Sequence, residues 1–283
     1  MKTTNLAGLS FLCLSLFQVA CASERILDVR ESREITREEF LARIADSDDL
    51  IVGEKHDTAV IQAAEARLFT DFANGRRSRV TFAWEFWNWS EREVLQSNFE
   101  KFRSNEITGD AFLRAVFGEK NPQSTYLPLM EAVKAAGADV LATNLTRKEK
   151  APVVRGGLGS LDPALLPPGF ELGGAAYQAR FYREMQGHAK PEEIANYFAA
   201  QCLVDDVAAY HFAENRTNQS AFLVIGSFHT RYFDGVWSRI EKRSPGHTRT
   251  LVEIAEPGDE SDWPSILRHR MYGPVADFMI FVK

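Results

Sequence analysis

Short apolar runs alternate along the chain with longer stretches in which apolar residues recur every three or four positions. Leu50–Val52 is such a run, and Val60, Ala64, Leu68 and Phe72 follow it at four-residue spacing. A short apolar run predicts a buried strand, and four-residue spacing predicts a helix with one buried face. Further predicted strands are Val80–Trp87, Val140–Ala142, Ala221–Ile225, Thr250–Ile254 and Phe278–Val282.

The segment between the third and fourth predicted strands has a different pattern. Arg155–Pro168 is rich in glycine and proline, which predicts a loop or hinge, and the helical stretches Tyr177–Met185 and Pro191–Asn215 follow without a strand between them. The whole pattern predicts an α/β fold, with a mostly parallel sheet flanked by helices and an inserted helical subdomain. The predicted divisions are a signal peptide (1–22), an N-terminal linker and helix (23–48), the first part of the α/β body (49–154), the helical subdomain (155–217) and the second part of the body (218–283).

The N-terminus has the pattern of a bacterial export signal. Lys2 precedes the apolar core Leu6–Phe17, and small residues surround Cys21. One interpretation is a lipobox in which Cys21 is acylated, and the other is ordinary cleavage after Ala22. Acylation is favoured, because a cysteine at the end of a signal has few other uses. The expected location is therefore the bacterial cell envelope, lipid-anchored and with the outer membrane favoured; the alternative is a soluble periplasmic or secreted protein.

Composition and charge narrow the classes of function. The chain of 283 residues has 45% hydrophobic and 25% charged residues, which is typical of a folded globular protein. Its net charge of −6 argues against non-specific nucleic-acid binding, which needs a basic face. Behind the signal, Cys202 is the single cysteine, so the sequence predicts no intramolecular disulfide. A small molecule or another protein is the expected partner.

Two predicted strands end in the same motif, Gly-x-x-His. Gly53 and His56 follow the first strand, and Gly226 and His229 follow the fourth. Each histidine could simply cap the next helix, but packing does not require a second copy of the motif. Because a helix N-terminus disfavours imidazolium, both histidines are predicted to be neutral and able to act as ligand or base. The glycines are predicted to allow a sharp turn and close approach to a ligand.

Other polar residues lie near the ends of the predicted strands. Glu54 follows the first strand, Glu85 lies near the end of the second and Asn144 ends the third. In an open parallel sheet, ligands bind outside the carboxyl ends of the strands, so these side chains and the two histidines are predicted to share one crevice.

Glu85 and a polar pair in the long helix each have two interpretations. Glu85 lies within an aromatic strand and needs a cation, a metal or a hydrogen-bond donor; a buried salt bridge to Arg147 is the structural alternative. Gln201 and Asp205 lie one turn apart on an otherwise apolar helix face. They either reach into the crevice or tie the helical subdomain to the body.

The motifs occur in an order that resembles the ChaN-like haem-binding lipoproteins, which are related to the Tiki/TraB class with its paired Gly-x-x-His motifs. The resemblance covers Leu50 to Ile240 and rests on these segments: G-E-K-H-D, F-A-W-E-F-W, Y-L-P-L-M-E-A, A-T-N-L-T-R, Y-F-A-A-Q-C-L-V-D-D and V-I-G-S-F-H-T. It implies an α/β body with a helical subdomain, an envelope lipoprotein, and haem held between two subunits by tyrosine ligation with histidine support. One departure is that Ile61 and Gln62 occupy the region where the family commonly has a further histidine.

The resemblance implies a haem-binding homodimer that serves in haem or iron acquisition or storage. The predicted cofactor-binding residues are Glu54, His56, Glu85, Tyr126, Asn144, Gln201, Asp205 and His229. Tyr126 is the first candidate for the iron ligand, and the tyrosines that remain open are Tyr177, Tyr182, Tyr210 and Tyr232. The alternative function is a Tiki/TraB-like hydrolase in which His56, Glu85 and His229 bind a divalent metal ion or act as base on a water molecule.

Overall fold

The computed structural model describes residues 24–118, 124–258 and 263–283. The predicted export signal, including Cys21, lies outside these residues. Within them the strands are β1 (Glu24–Asp28), β2 (Arg33–Ile35), β3 (Asp49–Glu54), β4 (Val80–Asn88), β5 (Asp139–Asn144), β6 (Ser220–Gly226), β7 (Arg249–Ala255), β8 (Arg268–His269), β9 (Gly273–Pro274) and β10 (Phe278–Val282). The α-helices there are α1 (Arg37–Ile44), α2 (Ala59–Asn74), α3 (Arg92–Arg103), α4 (Gly109–Phe117), α5 (Leu127–Ala135), α6 (Arg147–Gly156), α7 (Ala175–Glu184), α8 (Pro191–Asn215), α9 (Gly235–Arg243) and α10 (Trp263–Leu267).

The main sheet has the strand order β2-β1-β10-β7-β3-β6-β4-β5. The strands from β10 to β5 pair in parallel, whereas β1 pairs antiparallel with β10 and with β2. The predicted fold class, α/β with a mostly parallel sheet and flanking helices, is confirmed. Among the residues that the structure describes, no helix is both long and apolar enough to cross a membrane.

The central strands are buried on both faces, and alternate residues supply two separate cores. Leu50 and Val52 of β3 pack with α2 and α5 on one face, while Ile51 packs with α8 and α9 on the other. Successive side chains of a strand point to opposite faces, so a continuous apolar run is what a strand between two helical layers requires. These layers hold the carboxyl ends of β3, β6 and β4 side by side.

Two local predictions are correct only in part. The predicted N-terminal linker and helix (23–48) contain α1, but β1 and β2 precede it and extend the sheet beyond β10. The first two residues of the predicted loop Arg155–Pro168 belong to α6, a helix that starts with a capping box at Thr146 and contains Pro152. Proline disfavours a helix interior, whereas the capping box favours the helix start.

Candidate functional site

Three adjacent strands bring the polar residues of the two Gly-x-x-His motifs together. β6 lies between β3 and β4 in the sheet. Glu54 ends β3 and His56 follows it, Glu85 lies near the end of β4, and His229 follows β6. Because parallel strands end at the same edge of the sheet, residues separated by more than a hundred positions meet at one rim.

Glu85 lies between the two histidines. One of its carboxylate oxygens is 3.5 Å from Nε2 of His56, and the other is 3.5 Å from Nε2 of His229. The backbone N–H of Gly226 donates a hydrogen bond of 2.6 Å to the same carboxylate. No ion pair joins Glu85 to Arg147 within the described residues, so the predicted alternative of that salt bridge is wrong.

An irregularity in β4 aims Glu85 at this position. The regular pairing of β4 with β5 stops at Trp84 and resumes at Asn88, and the pairing of β4 with β6 also ends at Trp84. The Asn144 side chain donates a hydrogen bond of 2.8 Å to the backbone carbonyl of Glu85. A bulge of this kind redirects a side chain near the end of a strand. Asn144 thus contacts the backbone of Glu85 rather than presenting its amide to a ligand.

A second carboxylate contacts each histidine on its far side. His56 donates from Nδ1 to Glu54 at 3.0 Å, and His229 donates from Nδ1 to Asp205 at 2.6 Å. The five side chains therefore form a continuous row, which we call the array, in the order Glu54, His56, Glu85, His229 and Asp205. His56 is its more accessible histidine, with 37% of its side chain exposed against 13% for His229.

Buried hydrogen-bond donors hold Glu54, the carboxylate at one end of the array. The Gln62 amide donates to Glu54 at 2.7 Å, and the buried Tyr126 hydroxyl donates to Glu54 at 2.8 Å. Tyr126 is fully buried, and burial and the Glu54 charge raise the pKa of its phenol. An iron ligand must offer an accessible oxygen, so this conformation is unsuited to ligation by Tyr126. Gln62 is one of the two residues in the region where the family commonly has a further histidine.

The far end of the array is held by the helical layer. Tyr177 donates a hydrogen bond of 2.7 Å to Asp205. The Gln201 amide lies 3.2 Å from the Tyr177 hydroxyl and 2.9 Å from Nδ1 of His229. The polar face of α8 therefore both reaches the crevice and joins the helices to the body, which are the two interpretations that the sequence left open.

The carboxylates change the protonation of both histidines. Burial disfavours the charged form of His229, but Glu85 and Asp205 outweigh this cost and raise its pKa to about 10. Burial likewise opposes the charge on His56, yet the hydrogen bond to Glu54 and the charge of Glu85 raise its pKa. Burial alone would raise the pKa of Glu85, but His229 and His56 lower it to about 2.

His229 is therefore an imidazolium ion at neutral pH, and the prediction that it is neutral is wrong. The carboxylates also favour the charged form of His56. A helix N-terminus carries only about half an elementary charge, whereas full carboxylate charges contact both imidazoles. An imidazolium has no free lone pair, so His229 cannot ligate a metal ion or act as a base in this arrangement.

We predict that His229 stays charged throughout the neutral range. Its folded-state pKa of about 10 lies above its ordinary value of 6.5, so its stabilising contribution is complete below pH 6.5 and is lost as the pH rises through 10. Glu85, with a pKa lowered from 4.5 to about 2, contributes above pH 4.5 and loses that contribution as the pH falls through 2. An NMR titration of the imidazole signals measures this directly. A His229 midpoint near the ordinary value would contradict the charged array.

The two motif glycines provide space rather than a turn. Neither Gly53 nor Gly226 has a positive φ. A β-carbon on Gly226 would lie 3.1 Å from Nε2 of His56, and one on Gly53 would lie 2.5 Å from the Thr230 hydroxyl and still closer to Glu253. The prediction of a sharp turn at these glycines is wrong. The close approach that they allow is between their backbone and side chains of this same chain. Backbone strain lies elsewhere, after the histidine motifs.

Three of the five non-glycine residues with a positive φ in the described part of the chain follow the two histidines closely. Asp57 has φ 56°, and Tyr232 and Phe233 have φ 64° and 60°. Aspartate tolerates the left-handed region, but two successive aromatic residues rarely occupy it, and such strain is concentrated at functional sites. The position of these residues beside the array supports the view that the rim is a functional region.

Several residues of this region have contacts that the sequence does not predict. The sequence indicates Tyr177 only as a candidate iron ligand and Gln62 only as a departure from the family, whereas both donate hydrogen bonds to carboxylates of the array. Glu65 is fully buried, and burial together with the Glu54 charge raises its pKa well above the ordinary value, which favours its protonated form. The sequence signal for Glu65 is a carboxyl group on the apolar face of α2. In the described parts of the chain, no group of three or more His, Cys, Asp and Glu side chains could hold a metal ion.

Comparison with known proteins identifies the family. The family model described as "Haem-binding uptake, Tiki superfamily, ChaN" matches residues 40–240. The chain belongs to this family. The resemblance expected from the ordered motifs is therefore confirmed.

The fold has a close counterpart among solved structures. The structure described as "Cofacial heme binding to ChaN of Campylobacter jejuni" matches with a TM-score of 0.72 over 92% of this chain and 97% of that chain, at 18% identity. At this identity the match shows a shared fold. "The structure of the type III effector HopBA1" matches with a TM-score of 0.40 and 11% identity over 78% of this chain and 82% of that chain. No curated protein matches the sequence.

Proposed function

We propose that this protein binds haem. The observation that carries the proposal is the match of the haem-binding family model to residues 40–240. Its fold counterpart from Campylobacter jejuni is described as binding haem cofacially. Haem needs an apolar slot and an accessible iron ligand, so the described residues can be tested against these two requirements.

A cavity beside α8 fits the first requirement. Its volume is about 440 Å³, within the range of roughly 300–1,000 Å³ that is typical of small-molecule and cofactor sites. Its lining includes the apolar residues Leu145, Leu165, Leu166, Pro167 and Val207. Leu166 is 42% exposed, which leaves an apolar side chain open to a ligand.

Tyr210 fits the second requirement. It borders the cavity, is partly exposed, and its hydroxyl makes no hydrogen bond within the described residues. The hydroxyls of Tyr126 and Tyr177 are bound to carboxylates, and that of Tyr232 donates to the carbonyl of Ile266. Tyr182 is also partly exposed and its hydroxyl makes no hydrogen bond within the described residues, but it does not line this cavity. We therefore propose Tyr210 as the residue that would hold the iron. Bound haem would supply an iron centre that accepts this oxygen.

His211 lies beside Tyr210 and supports the cavity wall. Its imidazole stacks on Trp89 with ring centroids 3.9 Å apart, and it accepts a hydrogen bond of 3.1 Å from Asn215. Burial, with a smaller effect of Arg92, lowers the pKa of His211 to about 4. This histidine is neutral at pH 7, unlike His229 of the array.

Replacing Tyr210 with phenylalanine is expected to remove the tyrosine-ligated haem spectrum and to weaken haem binding by at least about tenfold. The measurement is titration of the purified protein with haemin, followed by the Soret band and its stoichiometric end point. Tyr126→Phe is the matched control, because it removes a hydroxyl that is buried against Glu54. Loss of the complex in Tyr126→Phe with a normal Tyr210→Phe would refute the assigned ligand. Absence of stoichiometric binding by the unaltered protein would refute haem binding itself.

We further propose that two copies of the chain hold haem between them and that the protein acts in haem or iron acquisition or storage. The cofacial arrangement described for the Campylobacter protein supports the dimer.

The lipobox-like segment at Cys21 supports a lipid anchor in the cell envelope, with the outer membrane favoured over a soluble periplasmic or secreted form. Sedimentation with and without haemin tests the dimer, and the mass of the N-terminal peptide tests acylation.

The alternative remains a metal-dependent hydrolase that uses His56, Glu85 and His229. His229 would first have to lose a proton, because Glu85 and Asp205 hold it as an imidazolium, and Glu54 and Glu85 also favour the charged form of His56. Elemental analysis for zinc or manganese distinguishes the two functions. Stoichiometric divalent metal without haemin binding would favour the hydrolase.

A further inference from the structure

The start of β1 lies at the same edge of the sheet as the array. We call this the carboxyl edge, because β3, β6 and β4 end there. β1 runs antiparallel to β10, whereas β10, β7 and β3 run parallel, so β1 begins where those strands end. The register pairs Arg25 with Phe281 and Phe281 with Ala255. Ala255 lies two positions beyond the partner of Gly53 in β7, so the start of β1 is level with the residues that follow β3.

The proposed site of acylation is close to this edge. Two strands, β10 and β7, lie between β1 and β3, so the start of β1 and the end of β3 are three inter-strand steps apart. At about 4.8 Å for each step, this separation is about 15 Å. Cys21 precedes Glu24 by three positions, and three residues span at most about 10 Å. The backbone of Cys21 is therefore within about 25 Å of the end of β3.

Two sides of the protein adjoin the start of β1, and their exposed side chains differ. On the lateral side, β2 is the last strand of the sheet, and its exposed residues Arg33 and Glu34 form ion pairs. At the carboxyl edge, Val94 lies in the first turn of α3, shortly after β4, and is 56% exposed. Leu166 is 42% exposed and borders the cavity together with Ser90, which also follows β4. Exposed apolar side chains favour contact with lipid, whereas paired charges would have to be desolvated.

We propose that the carboxyl edge of the sheet faces a lipid bilayer and is held there by the short link between an acylated Cys21 and β1. The array then opens toward the membrane surface, and the amino-terminal ends of the parallel strands point away from it. A ligand that reaches the array is thus exchanged at the lipid surface. The inference rests on the proposed acylation of Cys21 but not on haem binding.

The test compares two exposed serines that flank β4. Ser90 lies two positions after this strand and Ser78 two positions before it, so both are on the same strand of the sheet. Ser90→Cys and Ser78→Cys are each labelled with a fluorophore in the full acylated chain. The protein is then placed in vesicles of phosphatidylethanolamine and phosphatidylglycerol that carry nitroxide head groups. We expect the Ser90→Cys label to be quenched at least about threefold more strongly, because the nine residues of β4 separate the two positions by about 30 Å.

Three controls accompany the two labels. The unaltered chain measures background labelling, because Cys202 is fully buried. Cys21→Ser should abolish vesicle binding and the quenching of both labels. A flexible linker of about 20 glycine and serine residues, inserted between Ser23 and Glu24, spans about 25 Å and should bring the quenching ratio close to one.

The other outcomes contradict the proposal in different ways. Equal quenching of the two labels, or stronger quenching of Ser78→Cys, would overturn it. A label at Glu34→Cys that is quenched more strongly than Ser90→Cys would place the lateral side on the membrane instead. An unchanged ratio in the linker variant would overturn the short link as the cause. If the mass of the N-terminal peptide shows no lipid, the anchor and this inference both fail, and the haemin titration still decides haem binding.

Discussion

Replacing Glu85 with glutamine is expected to lower the free energy of unfolding by about 3 to 5 kcal/mol at pH 7, which is the usual cost of removing one partner from a buried ion pair. Glutamine has nearly the same shape and can still accept the Gly226 N–H. Its amide group, however, places a donor against the imidazolium of His56 or His229, where the carboxylate accepted from both. The imidazolium of His229, whose side chain is only 13% exposed, then lies without the negative charge that faced it.

Chemical denaturation and NMR titration together test this result. The pKa of His229 should fall, because Glu85 contributes most to raising it against burial. Glu93→Gln is the matched control: its side chain is 87% exposed, and its contact with Arg92 is 3.9 Å, so a change of less than about 1 kcal/mol is expected. If Glu85→Gln leaves both stability and the His229 pKa unchanged, Glu85 does not hold the array together.

Replacing Gly53 with alanine is expected to cost on the order of 3 kcal/mol or more, because the new methyl group would overlap atoms that cannot easily move. The β-carbon would lie 2.5 Å from the Thr230 hydroxyl and closer still to the Glu253 carboxylate. Both residues are fully buried, and Thr230 donates a hydrogen bond to Glu253. Thermal unfolding and the yield of folded protein measure the effect.

Gly246→Ala is the matched control for this substitution, because a β-carbon there would meet nothing within 4 Å. It should leave stability within about 0.5 kcal/mol. The double variant Gly53→Ala/Glu253→Ala should recover part of the loss, since the closest colliding side chain is gone. A Gly53→Ala protein that is as stable as Gly246→Ala would show that the glycine is not needed for space.

The order of the elements was accessible from the sequence because their causes are local. The apolar run at Leu50–Val52 and the four-residue spacing that follows it predict β3 and α2. Parallel strands end at one edge of a sheet, so the polar residues after those strands could be expected to meet. The edge strands β1 and β2 were missed, because their short, charged segments become strands only by pairing with β10 and with each other.

The sequence by itself determined the parallel α/β layers, the family, and the residues that reach the rim, because periodicity and motif order do not depend on exact distances. Only the tertiary structure decided what those residues do there. The charge of His56 and His229 depends on carboxylates within 4 Å, one of them on a distant helix. Electrostatic energy in a buried site changes steeply with separation and burial, and neither quantity is encoded in local sequence.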